Sequence, residues 1–297
     1  MLAKLIGVIF IIIGIAGLLL PVIPGILLIM VGVLLFFKDK EYEIIRLVNE
    51  KAPPYFVSFY HDFLSRIVNN GHLIGVDWAS VKNELMKREG ICSDDNSERA
   101  RSIAKSLDES LLKAKALSRP NYIRAVKNIT LTGENFIELE GGIRFSSGSI
   151  SKYIKGASHI VVFLVTIGER IENAASSLTK GKEPLEGYLL DRIGSFAVES
   201  LADAVEEKIR KDYLAVRKSV SRRYSPGYCD WPIEEQRILA EIIDFSKIGI
   251  SLTESCMMHP KKSISAMVAV ADSGVFTKSG STCEICEKKD CSYRRDT

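Results

Sequence analysis

The sequence has little of what common enzyme active sites require. Only four histidines occur in 297 residues, and no catalytic triad is evident. A Walker A loop, a Rossmann glycine fingerprint after a strand, and the HExxH and GxSxG motifs are all missing. The sequence therefore lacks the signatures of P-loop hydrolases, dinucleotide-dependent enzymes, zinc proteases and serine hydrolases.

The chain also lacks a strong charge of either sign. Its 40 basic and 37 acidic residues give a net charge of +3, which is close to neutral for this length. A dedicated nucleic-acid binder usually carries a concentrated basic face, so we predict no nucleic-acid partner. With 46% apolar and 26% charged residues, the chain is not predicted to be disordered.

Charged residues are absent from residues 5–37, which are almost wholly apolar. Pro21, Pro24 and Gly25 interrupt this run, because proline removes helical hydrogen bonds and glycine permits a reversal. A single span needs about 20 residues, so we predict a hairpin of two transmembrane helices of about 16 to 19 residues each. A re-entrant hairpin in a thinned bilayer is the alternative.

Lysines flank this apolar run on both sides. Lys4 precedes it, and Lys38 and Lys40 follow it. The positive-inside rule then places both ends of the hairpin in the cytoplasm. We predict that the chain lies in the cell membrane, in contact with lipid, with its large C-terminal part in the cytoplasm.

Changes of composition along the chain predict four regions. They are a transmembrane helical hairpin at 1–40, an amphipathic helical connector at 41–95, a globular domain at 96–278 and a cysteine-containing tail at 279–297. Within the globular domain, helical spacing predicts helices at 97–117 and 187–220. Runs of β-branched and aromatic residues predict strands at 135–145, 159–168, 248–252 and 264–271. Since no regular βαβ period is present, we predict an α+β fold with a mainly antiparallel twisted sheet and flanking helices.

The tail holds three of the six cysteines, Cys283, Cys286 and Cys291. Disulfides are disfavoured in the reducing cytoplasm, so this spacing indicates a zinc or iron–sulfur site. Three thiolates are one ligand short of a closed site. A fourth ligand would come from Cys229, Cys256, His259 or a partner. The alternative is a reduced tail that binds no metal.

Two segments carry a family resemblance: RYSPGYCDWPIEEQ at 223–236 and LTESCMMHPKKSISA at 252–266. The first resembles an Arg-x-x-Pro-Gly-Tyr motif, and the second a Leu-Thr-Glu-Ser motif followed by Met, Pro and Ser-x-Ser. Both are found in the S-adenosylmethionine-binding activation domain of cobalamin-dependent methionine synthase, and the chain resembles its stand-alone bacterial and archaeal relatives more closely still. The resemblance covers about residues 95 to 295, so it identifies the globular domain and leaves out the hairpin.

The resemblance implies a methyltransferase-type reaction that requires a corrinoid partner. In the family, the domain binds S-adenosylmethionine beside cobalamin, and the cofactor is methylated after one-electron reduction. This chain has no cobalamin-binding domain, so the cobalamin would be carried by a separate corrinoid protein, such as methionine synthase. The electron would come from a low-potential donor.

The resemblance also implies the ligand-binding residues. Arg223 matches the arginine whose planar guanidinium pairs with the ligand carboxylate. Pro226 and Gly227 would form a turn that brings the backbone close to the adenosine. Ser225 and Tyr228 match positions whose backbone contacts the nucleoside.

Three acidic residues complete this set. Asp203 matches a glutamate that lies near the ligand in the family, and Glu199, one helical turn earlier, is the alternative. For both, a solvated helix face is the competing interpretation. Glu254 of the second motif would contact the ligand, or with Thr253 would hold the arginine loop by hydrogen bonds. Val275 and Phe276 stand where the family carries a tyrosine pair, which is a departure at the adenosine pocket.

Two other functions compete with this one. The first is a redox protein whose cysteine tail holds a metal centre that passes electrons to a corrinoid partner. The second is a membrane scaffold that keeps the fold and has lost the ligand site.

Overall fold

The computed structural model describes residues 74–90 and 97–276. The predicted hairpin at 5–37, most of the predicted connector and the cysteine tail lie outside the described residues. Within the described ranges, no helix combines the length and the apolar character that a membrane span needs.

The described residues form six α-helices and eight strands. The helices are α1 Trp78–Arg88, α2 Glu98–Leu117, α3 Gly148–Tyr153, α4 Arg170–Lys180, α5 Pro184–Leu214 and α6 Gln236–Ile242. The strands are β1 Asn121–Thr132, β2 Phe136–Leu139, β3 Arg144–Ser146, β4 His159–Thr166, β5 Lys218–Val220, β6 Ser251–Leu252, β7 Met258–His259 and β8 Ser263–Asp272. Short 3₁₀ helices lie at Ile233–Glu235 and Phe245–Ile248.

Six of the strands form one sheet in the order β3-β2-β1-β4-β8-β5. Every neighbouring pair in this sheet is antiparallel. Strands β6 and β7 pair separately as a small hairpin. The predicted α+β fold, with an antiparallel sheet and flanking helices, is therefore confirmed.

Strand β4 is buried on both faces, which explains why its sequence is a continuous apolar run rather than an alternating one. Val161, Phe163 and Val165 face one core, and Ile160, Val162 and Leu164 face the other. The first core lies under α1, α2, α4 and α5. The second lies under α3, β2, α6 and the 3₁₀ helix that follows α6. The sheet thus separates two apolar layers.

Helix α1 lies within the range predicted as the connector, and it packs against the helical core. Asp77 caps its first turn by accepting hydrogen bonds from the backbone N–H groups of Ala79 and Ser80. Val81 and Leu85 are buried in the same core as α5. At the end of α1, the Glu89 carboxylate binds Arg192 of α5 at 2.9 Å.

Two predicted elements differ from the structure at their ends. The helix predicted at 187–220 ends at Leu214, and Lys218–Val220 instead forms the edge strand β5. The chain turns between them, where Arg217 has a φ of 56°. The strand predicted at 248–252 is limited to Ser251–Leu252, because a 3₁₀ helix capped by Asp244 runs to Ile248 and ends at Gly249, which has a left-handed φ of 72°.

Strand β1 was not predicted, and the strand predicted at 135–145 proved to be two strands. Strand β1 is one of the two long neighbours of β4, and it pairs with it from Asn121 to Asn128. Strands β2 and β3 form a hairpin, since Gly141 and Gly142 adopt φ values of 87° and 78° that other residues seldom take.

Helices α4 and α5 approach closely at Gly187, and this contact predicts how a substitution there changes the stability of the fold. A Cβ atom there would lie 2.4 Å from Thr179 Oγ1 and 2.6 Å from Thr179 N, which is backbone and cannot rotate away. Alanine normally favours a helix over glycine by about 1 kcal/mol. We expect the opposite sign for Gly187→Ala, a loss of about 2 kcal/mol in the free energy of unfolding, because the two helices must separate.

Urea denaturation followed by circular dichroism measures this loss. Gly194→Ala in the same helix is the matched control, because its nearest neighbours are the side-chain atoms Ile171 Cγ2 at 2.9 Å and Lys262 Cε at 3.3 Å. We expect a smaller loss there. A Gly187→Ala variant as stable as the unsubstituted chain would contradict the contact.

Candidate functional site

Helix α5 presents a row of acidic side chains toward the segment that follows β5. Glu199, Asp203 and Glu206 are spaced by four and three residues, which places them on one face of the helix. Glu199 and Glu206 are partly buried, whereas the Asp203 side chain is 60% exposed. This row forms an anionic wall beside the first motif.

Arg223 lies against this wall. Its Nη2 atom is 2.8 Å from Glu199 Oε2, and its Nη1 atom is 2.8 Å from Asp203 Oδ1 and 3.7 Å from Glu206 Oε2. Its side chain is only 13% exposed. The structure therefore brings together three of the predicted site residues, Arg223, Glu199 and Asp203, as one ion-paired group.

The loop after Arg223 is anchored at its start by strand β8. Tyr224 and Met267 exchange two backbone hydrogen bonds, of 2.9 Å and 2.8 Å, which adds one residue pair to the edge of the sheet. The buried Tyr224 ring stacks on Tyr153 of α3 with centroids 6.3 Å apart. Arg223 therefore projects from a backbone that the sheet holds in place.

The predicted Pro226–Gly227 turn is present and tight. Gly227 has a φ of 92°, and its N–H donates to the Trp231 carbonyl at 2.7 Å. The Tyr228 N–H donates to the Ser225 carbonyl at 3.2 Å. A Cβ on Gly227 would lie 3.3 Å from Ile233 Cδ1, so the turn is both strained for other residues and closely packed.

Two residues in the middle of the first motif anchor the loop. Trp231 is 1% exposed, packs edge-on against Phe145 with centroids 5.3 Å apart, and donates its indole N–H to Glu235. Asp230 accepts hydrogen bonds from Ser147 Oγ at 2.7 Å and from Gly148 N at 2.9 Å, at the start of α3. Between the Pro-Gly turn and these anchors the exposed Cys229 adopts a φ of 54°.

The contacts of Asp230 predict a pH-dependent contribution to stability. Burial acts to raise the pKa of this carboxyl, but the hydrogen bonds from Ser147 and Ser149 outweigh it and hold the pKa below its ordinary value. A lowered folded-state pKa stabilises the fold above the unfolded pKa of about 3.9, and the contribution is lost as the pH falls through the folded value.

We therefore expect Asp230→Asn to lower the free energy of unfolding by about 1 kcal/mol at pH 7, a modest loss because Asp230 is exposed. The difference between the two proteins should shrink below about pH 4. Urea denaturation at pH 7 and at acidic pH provides the comparison. An equal difference at both values would contradict the charge-based account.

Glu254 lies on the turn that joins β6 and β7. Its carbonyl accepts a hydrogen bond of 2.8 Å from Arg237, which also contacts Cys256 Sγ at 3.1 Å. The Thr253 hydroxyl lies 3.0 Å from that of Ser255 and accepts from Met257 N, so its hydrogen bonds stay within the same turn. This turn of the second motif is thus held by Arg237 of α6.

Val275 and Phe276, which stand where the family carries a tyrosine pair, have different surroundings. Val275 is 44% exposed, whereas Phe276 packs against the second core and donates its N–H to Ser219 Oγ at 3.2 Å.

The predicted metal ligands Cys283, Cys286 and Cys291 lie outside the described residues, so a zinc or iron–sulfur site there stays a prediction. Within the described ranges, no group of three His, Cys, Asp or Glu side chains could hold a metal.

The sequence interpretation missed three residues that shape this site. Glu206 contacts Arg223, and Asp230 and Trp231 fix the loop. The spacing of Glu206 from Glu199 and Asp203 is a readable signal, since seven residues return to the same helix face. Nothing in the local sequence indicates that Asp230 would reach α3, because their separation is more than 80 residues.

Comparison with known proteins places the two motifs in one family segment. Residues 146–281 match the family model "Vitamin B12 dependent methionine synthase, activation domain". The matched segment contains both motifs. It covers slightly less than half of the chain, and it starts within β3 and includes α5, the Arg223 loop and β8.

A solved structure is also similar to this chain. It is the crystal structure of "the MetH Reactivation Domain bound to AdoHcy", with 19% sequence identity, a TM-score of 0.46, and coverage of 62% of this chain and 68% of that one. A search of curated proteins found no match.

Proposed function

We propose that this chain binds S-adenosylmethionine and supports the reductive methylation of cobalamin on a separate corrinoid protein, such as methionine synthase. The observation that carries the proposal is the match of residues 146–281 to the activation-domain family, because this segment contains the Arg223 loop and the acidic row of α5. The cobalamin is a substrate here, held by the partner.

The charges of the site fit the amino-acid end of the ligand. S-adenosylmethionine carries a carboxylate, an ammonium group and a sulfonium. A guanidinium pairs with a carboxylate through two parallel hydrogen bonds, and carboxylates stabilise nearby cations. Arg223 supplies the first of these groups, and Glu199 and Asp203 supply the second.

Arg223 must exchange a partner to bind the ligand. Its pair with Asp203 is the weaker one, because the Asp203 side chain is 60% exposed and exposed pairs contribute little. We infer that the ligand carboxylate replaces Asp203 on Arg223. Asp203 is then available to the ligand's positive groups, while Glu199 continues to hold the guanidinium.

The nucleoside would lie along the Pro226–Gly227 turn. The N–H groups of Gly227 and Tyr228 are already bonded within the loop. The backbone groups offered to the adenosine would therefore be carbonyls rather than these two donors. Gly227 permits the φ of 92° that shapes this turn, and the space where its Cβ would lie is filled by Ile233.

The reaction needs no acid or base from this chain. One electron from a low-potential donor reduces cob(II)alamin to cob(I)alamin. The cobalt electron pair then attacks the sulfonium methyl carbon, the carbon–sulfur bond breaks, and S-adenosylhomocysteine leaves with that bonding pair. The chain's own residues bind and orient the donor, and this orientation is its contribution to the rate.

An anaerobic methylation assay tests the proposal. The full chain, purified in detergent, is mixed with cob(II)alamin-loaded methionine synthase, a low-potential reductant and S-adenosylmethionine. We expect methylcobalamin to form, detected by its absorption spectrum, and its formation to require the chain, the reductant and S-adenosylmethionine. Titration calorimetry of the chain with S-adenosylmethionine is the companion measurement. No binding at millimolar ligand would refute the proposal.

We further propose that residues 5–37 anchor this module in the cell membrane, with the globular part in the cytoplasm. The uncharged run and its flanking lysines support this. Fractionation of cells that express the full chain, with and without residues 1–40, tests the anchor. A full chain that stays in the soluble fraction would overturn it.

A further inference from the structure

One side chain of α5, Arg210, contacts the backbone that leads into the Arg223 loop. Arg210 donates from Nη1 to the Val220 carbonyl at 2.8 Å and from Nη2 to the Ser221 carbonyl at 3.3 Å. The same Nη2 atom is 2.8 Å from Glu206 Oε1. Arg210 therefore ties two consecutive carbonyls, immediately before Arg222 and Arg223, to the helix.

Glu206 connects Arg210 to Arg223. One carboxylate oxygen pairs with Arg210, and the other lies 3.7 Å from Arg223 Nη1. Burial raises the pKa of the Glu206 carboxyl, while the charges of Arg223 and Arg210 act to lower it. The carboxylate thus depends on both guanidinium groups, and it restrains each relative to the other.

These contacts lie in a partly enclosed region. The Arg210 and Glu206 side chains are 17% and 18% exposed, similar to the 13% of Arg223. Hydrogen bonds between charged groups are stronger where water is partly excluded. The Arg210–Glu206 pair therefore differs from ordinary pairs on the outer face of α5, such as Lys211 with Glu207, whose side chains are 60% and 53% exposed.

We propose that Arg210 and Glu206 are positioning residues, which fix the Arg223 guanidinium in the orientation that receives the carboxylate of the ligand. Neither residue touches the ligand in this arrangement. Arg210 holds the backbone that carries Arg223, and Glu206 limits the rotation of its side chain. This inference rests on the proposed function, since it assigns Arg223 to a ligand carboxylate.

The test compares two ligands, only one of which carries the amino-acid group with its carboxylate. S-adenosylhomocysteine has the amino-acid group, whereas 5′-methylthioadenosine keeps the nucleoside and the thioether and lacks it. Titration calorimetry of the full chain in detergent measures both. We expect Arg210→Met to raise the Kd for S-adenosylhomocysteine about tenfold, a factor that corresponds to 1.4 kcal/mol. The Kd for 5′-methylthioadenosine should change less than about twofold, which corresponds to less than about 0.5 kcal/mol of binding free energy.

Two further variants and a control sharpen the result. Arg210→Lys keeps the charge beside Glu206 and loses the fork that reaches both carbonyls, so its effect should be smaller. Glu206→Gln tests the same connection if Arg210→Met does not fold. Lys211→Met removes a neighbouring positive charge from the exposed side of α5, and it should change neither Kd.

Each outcome is decisive. Equal weakening of both ligands would mean that Arg210 acts on the fold as a whole, and unchanged binding of both would mean that it has no role. Either result overturns the inference and leaves the proposed function standing. If the unsubstituted chain binds neither ligand, the proposed function fails, and the inference fails with it.

Discussion

Replacement of Arg223 by methionine is expected to raise the Kd for S-adenosylmethionine about 100-fold or more. Removal of one partner of a buried, hydrogen-bonded charge pair costs about 2 to 5 kcal/mol, and each 1.4 kcal/mol is a factor of ten. The substitution also leaves the carboxylates of Glu199 and Asp203 without this guanidinium, so the ligand carboxylate would meet a wholly anionic surface. Titration calorimetry of the full chain in detergent measures the effect.

Two other variants separate charge from geometry. Arg223→Lys retains the positive charge and loses the planar fork, so an intermediate Kd is expected. Arg170→Met removes an exposed arginine at the start of α4 and is the control for a general loss of positive charge. We expect Arg223→Met to stay folded, because water can solvate the exposed Asp203. Binding of S-adenosylmethionine by a folded Arg223→Met protein with unchanged affinity would rule out the carboxylate pairing.

The central elements of the fold could be predicted from local pattern. Strands β4 and β8 are apolar runs that the sheet buries on both faces, and α2 and α5 show helical spacing over many turns. Strand β1 was not predicted because it mixes polar and apolar residues, and it is its pairing with β4 that makes this segment a strand. The position where α5 ends was not predicted for a related reason, since Lys218–Val220 becomes a strand by pairing with β8.

Similarity to a family indicated the site residues, but their pairing could not be read from the sequence. Arg223, Glu199 and Asp203 were named individually, and the fold brings them within 2.8 Å because β5 returns the chain alongside α5. Arg210 was not identified, since its partners are backbone carbonyls and carbonyls have no sequence signature. The hairpin, the cysteine tail and the domain boundaries remain predictions from sequence.

Replacement of Trp231 by alanine should cost about 3 to 5 kcal/mol of the free energy of unfolding, the usual loss for a large buried aromatic side chain. The indole is 1% exposed and fills the space beside Phe145. Its N–H is bonded to Glu235, so alanine also leaves a carboxylate without that donor. Trp78→Ala is the matched control, because Trp78 is the only other tryptophan and lies partly buried at the start of α1. We expect a smaller loss there.

Trp231 affects ligand binding through its backbone hydrogen bonds, which its buried ring holds in place. The Trp231 carbonyl accepts from Gly227 N, and its N–H donates to the Tyr228 carbonyl, so the position of the ring sets the closure of the Pro-Gly turn. Trp231→Phe keeps a ring against Phe145 and should lose only about 1 kcal/mol of stability, the value of one hydrogen bond. It should therefore still bind S-adenosylmethionine, whereas Trp231→Ala should bind weakly even at temperatures where it is folded. In a Trp78→Phe background the fluorescence of Trp231 alone reports on the loop, and a spectrum that does not change at saturating ligand would contradict a ligand site at this turn.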